Sequence, residues 1–272
     1  MAPDRPRQAG GGGLGPLAEA VRRHDPDRFF TALFAPPDRR ETLWLLYAVN
    51  HELARAGEVT SQPGLALIRL HWWREVLQGA RRRHEVAGPL GAALDAGRLT
   101  AAELLPMVDA REAEAAPAIE TRAAWLAYVE GTAGALAAAA GRVLGAEAAL
   151  LPRLRALGTA YGVAGQVRSV AARAAQGRCL LPLDVLAAEG LTQEEVIAYP
   201  ADPRLHPVLA TLAEDGRQRL REAAGAMPRG VIAAALPAAL ARRDLARPGP
   251  AAGPRGLGDK LRVVAAYLAG RV

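Results

Sequence analysis

The chain has 272 residues, 51% of them hydrophobic, enough for one large core or two small ones. Its single cysteine, Cys179, excludes a disulfide framework and a cysteine-based zinc site, and no two of its five histidines stand at metal-ligand spacing. The net charge of +6 is almost all arginine, since Lys260 is the only lysine, yet the arginines are scattered among Asp and Glu and only Arg81–Arg83 form a run, so no nucleic-acid partner is expected.

Residues 1–16, rich in Pro and Gly, read as a disordered tail without the apolar stretch of a secretory signal. Gly10, Gly12 and Gly15 spell Gly-x-Gly-x-x-Gly there, but no strand precedes them, so the dinucleotide reading fails its context. From 17 to 272 the pattern is helical almost without break, and the 4% aromatic content and alanine runs such as 133–140 favour helix over sheet. Pro36-Pro37-Asp38 opens a long helix, with Asp38 as N-cap and Glu41 three residues on. Its apolar face carries Leu43, Leu46, Tyr47, Asn50 and Leu53. After the break at Gln62-Pro63-Gly64, the next helix shows Leu65, Ile68, Trp72 and Val76 on one side, with Leu70, Trp73 and Leu77 beside them. Thr100 with Glu103, and Thr192 with Glu195, are further capping-box patterns.

Apolar helices are expected over 118–145 and 146–176, then over 203–227 and 228–245. A Pro/Gly loop at 247–258 precedes a last helix at 259–271. No strand-type alternation occurs, and no apolar run reaches the ~18 residues of a membrane span. The expected fold is all-α, one large bundle of about ten helices over residues 17–272. The expected location is the cytoplasm, with peripheral contact to the cytoplasmic face of the inner membrane through Arg81–Arg83 or the basic, half-apolar C-terminal helix bearing Lys260, Arg262 and Arg271.

Two stretches carry more information. The first is Leu46-Tyr47-Ala48-Val49-Asn50-His51-Glu52-Leu53-Ala54-Arg55-Ala56-Gly57-Glu58, followed by Ile68-Arg69-Leu70-His71-Trp72-Trp73-Arg74. The second runs from Leu157-Gly158 to Gln166-Val167-Arg168-Ser169, then Gly177-Arg178-Cys179-Leu180-Leu181-Pro182. Together they resemble the squalene/phytoene synthase family, more weakly from about residue 27 to 245, and imply its isoprenoid-synthase type of helical bundle. The resemblance also implies chemistry: those enzymes ionise a prenyl diphosphate whose leaving group is held by Mg²⁺, a hard cation that needs carboxylates. The family carries them as an Asp-Asp-x-x-Asp run and an Asp-x-x-x-Asp run on facing helices. Here the aligned positions hold Ala54, Arg55 and Glu58, then Ser169 and Arg173. Both motifs are degenerate, and an arginine inside each repels the metal. Neither metal nor cofactor is expected, and no residue is assigned a catalytic role.

Arg168 and Arg178 stand where the family places arginines, which hold phosphate bidentately without metal. Alternatively Arg168 or Arg173 forms a structural ion pair with Glu52 or Glu58 across the two helices. Tyr47, Trp72 and Trp73 either line an apolar prenyl cavity or are core, and helical spacing favours core. Asn50-x-Glu52-Leu53-Ala54, Gly165–Ser169 and Leu181–Asp184 resemble one branch of the family, the mitochondrial complex I assembly factor and its bacterial relatives. That branch implies a non-catalytic accessory role with a respiratory-complex subunit as partner. Two alternatives stay open: a working prenyl transferase with metal ligands drawn from Asp27, Glu52, Glu58 and Asp184, and an isoprenoid- or lipid-binding protein without chemistry.

Overall fold

The computed structural model describes residues 14–58, 62–250, 253 and 255–272. Most of the expected tail, with Gly10 and Gly12, lies outside them; Gly15 directly precedes the first helix. Fifteen α-helices follow in chain order among the described residues: α1 (Pro16–His24), α2 (Pro26–Ala32), α3 (Pro37–Glu58), α4 (Pro63–Leu77), α5 (Ala87–Asp95), α6 (Ala101–Arg111), α7 (Arg122–Val129), α8 (Ala135–Val143), α9 (Leu151–Arg168), α10 (Val170–Ala174), α11 (Leu183–Ala188), α12 (Gln193–Ala198), α13 (Leu205–Ala223), α14 (Pro237–Ala246) and α15 (Leu257–Ala269). The extended pairing among them is one bridge, Ala226 to Arg271. The fold is all-α, as expected.

α9 is the axis of the bundle, packed by α8, α13 and α14. Its sequence explains how closely they approach. A Cβ on Gly158 would lie 2.4 Å from the Ala137 Cβ and 2.6 Å from the Ala133 carbonyl oxygen, and one on Gly162 would lie 2.6 Å from the Ala133 Cβ. Glycine and alanine therefore let the two helices touch nearly backbone to backbone. The facing helix spans α7 and α8 without interruption, through a π-helical turn at Glu130–Gly134. Such turns are frequent at functional sites, and this one abuts the cavity described below.

Two expectations are revised. The 146–176 helix breaks at Ser169, where the Ala171 N–H donates at 2.8 Å to the Pro250 carbonyl instead of continuing the helical ladder. On α4 the buried face is Ala66, Leu70, Trp73 and Leu77, at helical spacing, while Leu65 and Ile68 are exposed. Apolar residues are spread round that helix, so its sequence does not say which of them turn inward.

Candidate functional site: an arginine-lined cavity

A cavity of about 310 Å³ opens between α3 and α9. Asn50 and Ala54, one turn apart on α3, line one wall; Tyr161, Gln166, Arg168, Ser169 and Arg173 line the wall opposite. Thus Ala54 from the first degenerate motif, Ser169 and Arg173 from the second, and the neighbouring Arg168 come together in one place. α2 adds Asp25 and Arg28, α6 adds Arg111, α7 adds Tyr128, and the segment before α15 adds Arg255.

The lining is charged but mostly paired. Arg28 meets Asp25 at 2.7 Å. Burial opposes the Arg28 charge, but the Asp25 carboxylate outweighs it and holds the guanidinium above its usual range. Arg111 donates to Glu114 at 2.5 Å and to Asn50 Oδ1 at 3.2 Å. The Tyr128 hydroxyl donates to Glu114 at 2.6 Å and accepts from Gln166 Nε2 at 3.2 Å. Arg255 reaches Asp27 at 3.0 Å and Asp244 at 2.9 Å, and so ties the preceding loop across the cavity. Tyr161 donates to Asp27 at 3.0 Å. Burial pushes both the Tyr128 and Tyr161 hydroxyls above the ordinary tyrosine range, Glu114 adding to it at Tyr128 and Asp25 and Asp27 at Tyr161. Both therefore remain neutral donors.

The cross-helix ion pairs considered for Glu52 do not form. Glu52 turns away from the cavity and meets Arg55, on its own helix, at 3.2 Å. The reason is azimuth: two residues along a helix rotate the side chain by about 200°, so a wall made by Asn50 and Ala54 excludes Glu52. Arg55 is exposed, whereas Glu52 is largely buried and also lies 3.9 Å from His84 Nε2. Arg168 turns instead to Asp244 at 3.6 Å and to the Gly253 carbonyl at 2.9 Å. Arg173 has Ser169 Oγ at 3.2 Å. Arg178 lies behind the cavity, donating at 3.1 Å to the Glu114 carbonyl and packed on Gly57. Glu58 ends α3, but its side chain is outside the described residues.

Tyr47 and Trp73 are buried core, and Trp72 stacks edge-on against Trp73, ring centroids 4.9 Å apart. None of the three lines the arginine cavity. Arg28, Arg111, Asp244, Arg255, Glu114 and Tyr128 escape sequence reasoning. Asp25-x-x-Arg28 and Arg111-x-x-Glu114 carried a local signal, an i,i+3 ion-pair spacing; the rest meet through contacts such as Arg255 with Asp27, 228 residues apart.

The residues present do not fit the family's Mg²⁺. Among the described residues no three His, Cys, Asp or Glu side chains gather as a metal site. Asp27 is bound by Arg255 and Tyr161, and Asp184 accepts from the Arg122 and Val185 backbone N–H groups. Of the carboxylates considered as substitute ligands, Asp27, Glu52 and Asp184 therefore serve other partners in separate places. Carboxylate oxygens pinned by guanidinium groups are poor ligands for a hard cation.

Residues 21–248 match the squalene/phytoene synthase family. The chain is 25% identical over 228 residues to NADH dehydrogenase (ubiquinone) complex I, assembly factor 6 of Mus musculus, covering 82% of this chain and 68% of that protein. The Homo sapiens protein of the same name is 24% identical over 211 residues, 75% of this chain and 63% of that one. In fold the chain is similar to a dehydrosqualene synthase crystallised with ligand, with a TM-score of 0.69 at 13% identity, over 93% of this chain and 94% of that one. It is also similar to squalene synthase HpnC from Alicyclobacillus acidocaldarius, with a TM-score of 0.63 at 18% identity, over 93% and 92%. The bundle, the two aligned motifs that meet in its cavity, and the match along most of its length agree: this chain belongs to the squalene/phytoene synthase family.

Proposed function

We propose that this chain is a squalene/phytoene synthase scaffold, acting as one helical domain over residues 17–272, that serves as an assembly or accessory factor for a complex I-type NADH dehydrogenase and has given up prenyl transfer. The observation that carries the reading is the cavity itself. Where the family pattern calls for metal-holding carboxylates, the walls present Ala54, Ser169 and Arg173. The similarity to proteins named as complex I assembly factors supplies the role, and the respiratory complex is the proposed partner. The test is deletion of the gene in its host. Membrane NADH:quinone oxidoreductase activity should fall, partial complexes should accumulate, and the intact chain should restore both. Unchanged enzyme together with loss of a squalene- or phytoene-type product would select the prenyl transferase instead.

We infer peripheral contact with an anionic membrane as the setting for this role. No helix among the described residues is long and apolar enough to cross a membrane. α15 docks on the bundle through buried Val263 and Asp259, but its Leu257, Leu261 and Leu268 are 73%, 57% and 65% exposed, with Lys260 and Arg262 beside them. An apolar stripe flanked by cations suits a negatively charged leaflet. Flotation with vesicles should show binding that requires anionic lipid and weakens with salt; equal recovery on neutral vesicles contradicts it.

A further inference from the structure

A second concavity, a notch of about 560 Å³, lies where the end of α13 meets α14 and α15, and none of its residues lines the arginine cavity. Paired backbone builds one side of it. The Gly225 N–H donates to the Val272 carbonyl at 2.8 Å, the Val272 N–H donates back to the Gly225 carbonyl at 3.2 Å, and the Ala226–Arg271 bridge holds Arg271 beside them. α14 adds Arg242 and α15 adds Arg262. A fourth guanidinium stands behind Gly225: Arg153 donates to the Ala223 and Ala226 carbonyls at 2.6 and 2.7 Å. A Cβ on Gly225 would lie 3.0 Å from its Nη2, which is buried and makes no hydrogen bond. Arg153 is near the start of α9 and Arg168 ends it, about 22 Å away along the helix axis.

These four cations have little counter-charge. No Asp or Glu lines the notch. Among the described residues Arg242 and Arg271 make no side-chain hydrogen bond or ion pair. Carbonyl oxygens hold Arg153 without neutralising it. Arg262 comes only to 3.8 Å from Asp259, a carboxylate that already accepts from Arg243 and from the Gly256 N–H. A terminal carboxylate on Val272 answers one charge of the four. Like charges gathered round a concavity raise its potential, and an anion that enters lowers it.

We propose that this notch binds the phosphate group of a small soluble phosphate ester, with Arg242 and Arg271 as its principal ligands. Guanidinium groups offer paired N–H donors matched to phosphate oxygens. Ala224, Ala239 and Ala266 give the rest of the wall small apolar side chains, which leave room for an organic body, and the volume falls within the range of small-molecule sites. The geometry of α15 favours a solute over a lipid headgroup as the source of the phosphate. Successive helical residues turn by about 100°, so Arg262 stands about 100–140° round the helix from Leu257, Leu261 and Leu268. A leaflet seated on those leucines leaves the notch on the flank, open to solutes. The inference rests on the notch alone, on neither the assembly role nor the membrane contact.

Calorimetric titration of the full chain with inorganic phosphate, at low and at physiological salt, tests it. A saturable equivalent is expected, weaker at the higher salt. Arg242→Ala and Arg271→Ala should each weaken it about tenfold, and Arg242→Lys by less, as loss of a charge-assisted contact implies. Arg98→Ala removes the same charge from an exposed position outside the notch and should leave the affinity unchanged. The ligand-free Arg242→Ala protein should melt with the wild type, since no described partner is lost, which separates loss of binding from loss of fold. Vesicles of phosphatidic acid in phosphatidylcholine identify the source of the phosphate. Vesicle binding that inorganic phosphate and Arg242→Ala both leave unchanged at constant ionic strength, or no vesicle binding, supports a solute. Vesicle binding that both abolish puts a lipid headgroup in the notch and overturns that assignment. Absence of saturable phosphate binding, equal affinity in Arg242→Ala and wild type, or the same loss in Arg98→Ala would each overturn the site.

Discussion

Glu114 is buried, its side chain 3% exposed, and its carboxylate accepts from both Arg111 and the Tyr128 hydroxyl. Removing one member of a buried, hydrogen-bonded charge pair typically costs ~3–5 kcal/mol, because the other charge stays behind. Glu114→Ala should therefore lower stability by about that amount in chemical denaturation. Glu52→Ala, which breaks a pair with the exposed Arg55 and a long contact with His84, should cost less, ~0–1 kcal/mol. Similar losses for both variants would show that the Glu114 network is solvated. The contrast also shows what was legible at this scale. Glu52 lies inside the recognisable motif, whereas Glu114 lies in no motif and gains its importance from partners on α6 and α7.

Among the elements, the capping signals fared unevenly. Thr192 and Glu195 form the expected reciprocal box around α12. Thr100 sits at the N-cap position of α6 but makes no side-chain cap bond, and Glu103 turns to Arg142 at 3.2 Å. Asp38 falls within the first turn of α3 instead of capping it. Local patterns found the helices; their ends were decided by tertiary bonds such as Ala171 to Pro250, which no window of sequence contains. The contact between α9 and the α7–α8 helix gives the sharpest test here. Alanine exceeds glycine in helix propensity by ~1 kcal/mol. At Gly158, however, its Cβ would meet Ala137 at 2.4 Å, and overpacking of that kind costs about 1–3 kcal/mol. The clash should win, so Gly158→Ala lowers the melting temperature. Gly165→Ala, on the same helix with no atom within 4 Å of its Cβ, should raise it. A rise for both would mean that the helices are not in close contact.

For the molecule as a whole, the fold was legible because the family stretches and the helical periodicity reinforce one another. The convergence of Ala54, Ser169, Arg168 and Arg173 followed from the same alignment. The direction of each side chain did not: Glu52, one of the partners considered for Arg168 or Arg173, turns to Arg55 on its own helix. On the proposed reading, the cavity shows an exchange of the carboxylates of the family pattern for arginines. Incubation of the purified chain with farnesyl or geranylgeranyl diphosphate, with Mg²⁺ varied from none to saturating, measures that exchange most directly. No diphosphate should be released above a protein-free blank at any metal concentration. Sustained release that rises with Mg²⁺ and is lost on chelation would contradict the account.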